Sequence, residues 1–123
     1  MRKWTVERSL FGWPLRAEVT LLDEGAHVLF TGGARTHVGA VSIAENGCAL
    51  SHVQRPGHRD GEISRRWAEA LSGRWRCCVT VACGVHYDGV DRQMIQQILA
   101  QAEDMLSQVW REERKTHEVQ PEV

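Results

Sequence analysis

Residues 77–86 constrain this chain more than any other segment. Cys77, Val79, Val81, Cys83 and Val85 alternate with Cys78, Thr80, Ala82, Gly84 and His86. Side chains on a strand alternate between faces, so the first set shares one face and is wholly apolar. The second set is mostly small. One face is therefore expected to sit on a core, and the other to be shallow. A shallow face admits another sheet, a partner subunit or a flat ligand. The run ends in His86-Tyr87-Asp88-Gly89 and is followed by a long helical pattern.

The segments around it complete the fold class. Leu15, Ala17, Val19 and Leu21 alternate with Arg16, Glu18 and Thr20, and Ala26, Val28 and Phe30 continue the period after an Asp23-Glu24-Gly25 turn. A first strand is expected over residues 3–9, closed by Gly12-Trp13-Pro14. Residues 38–44 and 48–53 read as strands joined by Asn46-Gly47, a strong hairpin signal. The period then changes. Asp60 is placed to cap a helix with Ile63, Trp67, Ala70 and Leu71 on its apolar side, and Gly73 to end it. A strand is expected over residues 75–85. Asp91 caps a second helix, in which Met94, Ile95, Ile98, Leu99, Ala102, Met105, Leu106 and Val109 keep the helical spacing. The order is ββββ(β)αβα, an α+β domain in which two helices cover a mostly antiparallel sheet. The single domain spans residues 1–111, and residues 112–123 form a charged tail expected to fray.

Composition narrows the function classes. A chain of 123 residues suits one domain and can bury a core without disulfide or metal. Fifteen basic and sixteen acidic residues nearly cancel. That speaks against general nucleic-acid or anionic-membrane binding. The sequence has no bilayer-spanning run and no signal-peptide pattern at residues 1–7, so a cytoplasmic location is expected. Cys48, Cys77, Cys78 and Cys83 contain no CxxC pair and read as small buried apolar residues, with Cys83 nearest the His86 corner.

Three glycine-flanked polar corners carry the chemistry. Gly32-Gly33-Ala34-Arg35-Thr36-His37, followed by Gly39, lies between two strands. Its glycines permit an anion-binding nest with Arg35 as counter-charge, or simply an exposed hairpin loop. Gly57-His58-Arg59-Asp60-Gly61 precedes a helix, where backbone donors favour an anion. Capping is sufficient to explain Asp60 but not His58 or Arg59. His86 and Asp88 stand two apart at a strand end, where the carboxylate can orient the ring. That pair suits a base, a metal site or a ligand clamp. His37, His58 and His86 are candidate metal ligands if they converge, although no established metal-binding spacing is present. No Ser-His-Asp or paired-carboxylate arrangement stands out.

Taken together, Gly32-Gly33 with His37-Val38-Gly39-Ala40-Val41, then Gly57-His58-Arg59-Asp60, then Val81-Ala82-Cys83-Gly84-Val85-His86-Tyr87-Asp88 resemble the LpdD-like prenylated-flavin chaperone domain. The likeness covers roughly residues 27–106. These domains are small accessory subunits of gallate- and hydroxybenzoate-type decarboxylases. The resemblance implies a fold similar to small proteasome-assembly chaperones and a homodimer. It also implies binding of prenylated flavin mononucleotide made by a flavin prenyltransferase, for delivery to, or maturation in, a UbiD-type (de)carboxylase. The implied cofactor-binding residues are Gly32, Gly33, Arg35, His37, Gly39, His58, Arg59, Asp60, Gly84, His86 and Asp88, with the Thr80, Ala82 and Gly84 face against the ring. Such a role needs no catalytic residue. Two alternatives stand beside it: a small metal-dependent enzyme using the histidines, and a structural assembly partner using the small-residue face.

Overall fold

The structure, a computed structural model, describes the backbone of residues 1–119 and the side chains of residues 1–113. Five strands come first: β1 (Arg2–Leu10), β2 (Trp13–Leu21), β3 (Ala26–Gly33), β4 (Ala40–Glu45) and β5 (Cys48–Gln54). Helix α1 (Gly61–Trp75), strand β6 (Cys78–His86) and helix α2 (Arg92–Val119) follow. One sheet has the order β1-β2-β3-β6-β4-β5. Only β3 and β6 pair in parallel. The fold is the expected α+β arrangement, a mostly antiparallel sheet with two helices.

Local chemistry explains the hairpins. Phe11-Gly12 and Asn46-Gly47 each place two consecutive residues at positive φ, 53° and 79° in the first and 50° and 90° in the second. That is the geometry of two-residue turns whose twist matches the strands. The first turn therefore lies one residue earlier than expected, and Pro14 sits within β2 opposite Ser9.

The core lies on the predicted face of β6. Val79, Val81 and Cys83 are fully buried in one cluster with Val28, Phe30, Trp67, Leu71, Met105 and Val109. Trp67 meets Phe30 edge to face at 5.0 Å. Burying a side chain of this size contributes about 1.5–3 kcal/mol. Of the cysteines, only Cys83 is buried, while Cys48 is exposed and Cys77 and Cys78 are intermediate. The buried apolar reading holds fully for Cys83 and in part for Cys77, which packs against the core. Burial, with the nearby Asp60 charge adding to it, pushes the Cys83 thiol far above its ordinary value, so it is an inert packing residue.

Several boundaries differ from the sequence pattern: β4 begins at Ala40 rather than residue 38, β6 begins at Cys78 rather than residue 75, and both helices end later than expected. Gly73 does not end α1. The helix runs to Trp75, and Arg76 closes it in the left-handed conformation at φ 52°. Trp75 packs on Trp4 at 6.3 Å, which rewards the two extra residues. Gly73 instead lets α1 cross the β4–β5 turn, since a Cβ there would stand 3.3 Å from the Gly47 Cα. Helix α2 continues past Arg111 to Val119; the rest of the expected tail lies outside the described residues. Among the described residues no helix is long and apolar enough to cross a membrane.

Arg66 on α1 and Glu103 on α2 tie the helices together. Arg66 Nη2 donates to Glu103 Oε1 at 2.6 Å, and Arg66 Nε donates to both carboxylate oxygens at 3.2 Å. The hydrogen bond holds the Glu103 carboxyl below its usual value, against a smaller opposing effect of burial. A depressed carboxylate stabilises the fold above its unfolded pKa, and that stabilisation is lost as pH falls through the folded value. Both side chains are about half exposed, so the effect is small. Glu103→Gln is expected to lower stability by about 0.5 kcal/mol at pH 7. The difference from wild type should vanish in denaturant melts near pH 2, where the carboxylate is protonated in both states.

Candidate functional site

Inserting β6 between β3 and β4 means that β3 and β4 do not form a hairpin. The connector, residues 34–39, must instead cross the C-terminal end of β6. It is held there by two backbone bonds, Ala34 N–H to His86 O at 2.8 Å and Gly39 N–H to Cys83 O at 2.8 Å. This crossing builds the site.

Four glycines make the crossing possible. The His37 backbone lies against Gly84, and a Cβ on Gly84 would collide with the His37 carbonyl. The shallow face of β6 is therefore closed at Gly84 by the chain itself. Ala82 is 9% exposed, and Thr80 Oγ1 bonds His27 Nδ1 at 2.7 Å. Gly32 and Gly33 belong to β3 rather than to a loop. Gly32 makes room for the Leu15 side chain, and Gly33, at φ 87°, abuts the His86 carbonyl. Gly39 leaves space for the Asp60 carboxylate and His58 Nδ1.

Asp60 does not do what its position predicts. Its side chain makes no capping bond to α1. Its Oδ1 instead accepts the Val85 N–H at 2.9 Å, because β6 ends beside the start of α1. Its Oδ2 faces His37 Nε2 at 3.4 Å and His58 Nδ1 at 3.5 Å. The Asp60 side chain is only 7% exposed, so the polar corner closes over a buried carboxylate. Asp91, by contrast, caps α2 as expected, its Oδ1 accepting the Met94 N–H at 2.8 Å.

The three corners do converge. The His37 and His58 rings stand 5.1 Å apart, and both border two cavities that His86 also lines. His86 Nε2 lies 3.0 Å from Asp88 Oδ1 and 3.3 Å from Arg35 Nη2. Protonated, that nitrogen donates to Asp88; bare, it accepts from Arg35. The ring thus exchanges partners with its tautomer.

The larger cavity, about 380 Å³, lies between the starts of α1 and α2 and the end of β6. Its apolar wall includes Val85, Tyr87, Ile95, Ile98 and Leu99, and Arg59 and Asp60 lie on the polar side. The Tyr87 hydroxyl is buried and has no partner among the described residues. The smaller cavity, about 270 Å³, is lined by Arg35, Thr36, His37, Arg55, His58 and His86, a basic set without a carboxylate. The larger volume lies within the roughly 300–1,000 Å³ typical of small-molecule sites. An anion suits the smaller cavity, and a flat apolar group the larger.

Gly32, Gly33, Gly39, Gly84 and the exposed Asp88 line neither cavity; the glycines let the lining residues approach. Sequence reasoning missed Arg55 and the α2 wall. Arg55 is anchored by its own Nη1, which donates to Val38 O at 2.9 Å, and by its N–H to Gly39 O at 2.8 Å. Its signal was present in the Arg55-Pro56-Gly57 turn beside His58, but only the crossing connector brings Arg35 to the same cavity.

Comparison with known proteins agrees with this architecture. A chain in the crystal structure of a chaperone complex for yeast 20S proteasome assembly superposes with a TM-score of 0.55 at 14% identity, covering 91% of this chain and 98% of that one. At that identity the likeness shows the fold alone. No curated protein matches the sequence. The prenylated flavin chaperone LpdD-like domain matches over residues 10–114, which include all eleven expected site residues. This chain belongs to the prenylated flavin chaperone LpdD-like family.

Proposed function

We propose that this chain binds prenylated flavin mononucleotide across the two adjoining cavities and passes it to a UbiD-type aromatic acid (de)carboxylase. One observation carries the reading: a basic cavity and an apolar-walled cavity share His37, His58 and His86. Flavin mononucleotide has the matching division, a phosphate at one end and a flat ring with polar edges at the other. Arg35 and Arg55 would hold the phosphate, since guanidinium groups pair well with its oxygens. Val85, Ile95 and Leu99 would face the ring, and the histidines its polar edge. The cofactor supplies the chemistry of the partner enzyme; the residues here bind, orient and shield it. Co-expression with a flavin prenyltransferase is expected to yield protein with flavin absorbance, one flavin per chain, that raises the activity of the decarboxylase. Colourless protein without effect on the decarboxylase would overturn the reading.

The partner surface is proposed to include a second copy of this chain. All seven residues of edge strand β5 are exposed and none is charged, whereas the opposite edge, β1, carries Arg2, Lys3, Glu7 and Arg8. Charged residues protect an open edge from pairing, and β5 lacks that protection. Val53 and its register partner Val41 are 62% and 41% exposed beside it. Antiparallel pairing of two β5 edges is two-fold symmetric and closes as a dimer. Light scattering is expected to give a dimer mass, and Val53→Glu a monomer. A monomeric wild type would refute this arrangement while leaving the flavin reading intact.

A further inference from the structure

We infer that His37, His58 and Asp60 form a binding site for one divalent first-row transition-metal ion. The argument starts from protons. His37 Nδ1 stands 3.4 Å from the Arg35 carbonyl. A carbonyl only accepts, so Nδ1 carries the hydrogen. In a neutral ring Nε2 then holds a bare lone pair, and it faces Asp60 Oδ2 at 3.4 Å. His58 Nδ1 faces the same oxygen at 3.5 Å. Two acceptors directed at each other inside a largely buried corner need a cation between them, either a proton or a metal ion.

The spacing favours a metal. Ligand atoms about 2.1 Å from a tetrahedral ion lie about 3.4 Å from one another. The two histidine–carboxylate separations, 3.4 and 3.5 Å, meet that requirement. One ligand atom from each of the three residues lies within 4.8 Å of the others. The remaining gap closes by turning His58, whose side chain is 28% exposed on a loop.

The surroundings are those of a ligand set rather than of a chance cluster. Asp60 is oriented by the Val85 N–H on its other oxygen, and His37 by the Arg35 carbonyl on its other nitrogen. Outer contacts of this kind fix ligand orientation at metal centres. A Cβ on Gly39 would fill the space beside Asp60 Oδ2 and His58 Nδ1. The cavities beside both rings give access and leave coordination positions open to solvent. Two histidines and one carboxylate with open positions suit iron(II), manganese(II), cobalt(II) or zinc(II). Asp60 takes the place that the sequence assigned to His86 as third ligand.

Cobalt(II) alone tests this, with tag-free, chelator-treated protein and no flavin present. Wild type is expected to bind one cobalt per chain, seen by elemental analysis after gel filtration and by visible ligand-field bands, with release of protons on binding. His37→Gln and His58→Gln should each weaken binding at least about 100-fold, beyond the loss typical of outer-shell changes. His27→Gln, whose ring bonds Thr80 away from the three proposed ligands, should bind as wild type does. Circular dichroism checks that each variant is folded. If His37→Gln does not fold, His58→Gln decides, because its side chain is on a partly exposed loop. Substoichiometric cobalt in wild type, or full retention by folded His58→Gln, overturns the inference. Neither result bears on flavin binding, which is measured separately.

Discussion

Replacing Arg35 and Arg55 together by alanine is expected to weaken flavin mononucleotide binding by about 100-fold or more. Each guanidinium lines the basic cavity, and the lining contains no carboxylate to offset the loss. A hydrogen bond to a charged group contributes about 1.5–3 kcal/mol, and about 1.4 kcal/mol is tenfold in affinity. Each single variant should therefore lose about tenfold. Arg55→Lys should recover only part, because an ammonium cannot reproduce the planar two-point grip. Riboflavin, which lacks the phosphate, supplies the control. It should bind wild type and the double variant with equal, weaker affinity. Fluorescence titration at two salt concentrations reads all of this, and the wild-type advantage should shrink as salt rises. If the double variant binds flavin mononucleotide as wild type does, the phosphate does not lie between Arg35 and Arg55.

Gly84→Ala is expected to be among the most damaging small substitutions in the chain. The added Cβ would strike the His37 carbonyl, which is backbone and cannot swing aside as a side chain can. Overpacking of this kind costs about 1–3 kcal/mol, and a backbone collision belongs at the upper end. For a domain of this size about 3 kcal/mol lowers the melting temperature by roughly 12 °C. Gly57→Ala is the comparison. Gly57 has φ 78° but open space around its Cβ position. It carries only the left-handed backbone penalty, about 1–2 kcal/mol. Calorimetry of the two variants separates collision from backbone strain. Equal melting temperatures would mean that the connector does not rest on β6. Gly84→Ala should also displace His37, so whatever protein remains folded should bind flavin poorly.

Much of this architecture was legible because it rests on short-range periodicity. The alternation through Val79, Val81 and Cys83 identified the buried face of β6. The α2 spacing identified the face that carries Ala102, Met105, Leu106 and Val109 into the core. Asn46-Gly47 marked its hairpin because few residue pairs accept two positive φ angles. Boundaries were less legible. Gly73 reads as a helix end, yet its role is to clear the β4–β5 turn, a contact with residues far away in sequence.

Function divided along the same line. The layers, the core face, the three polar corners and the family resemblance are legible in the chain because each is written in neighbouring residues. What those corners do depends on long-range packing. Placing β6 between β3 and β4 turned an apparent hairpin loop into a strap across the strand end. The strap covers Gly84, which closes the shallow face and moves the cavity to the end of the strand beside α2. The same crossing brings Arg35 to Arg55 and turns Asp60 from a helix cap into the shared partner of two histidines. Strand order depends on contacts between distant segments, and no local pattern encodes which distant carboxylate a histidine will face.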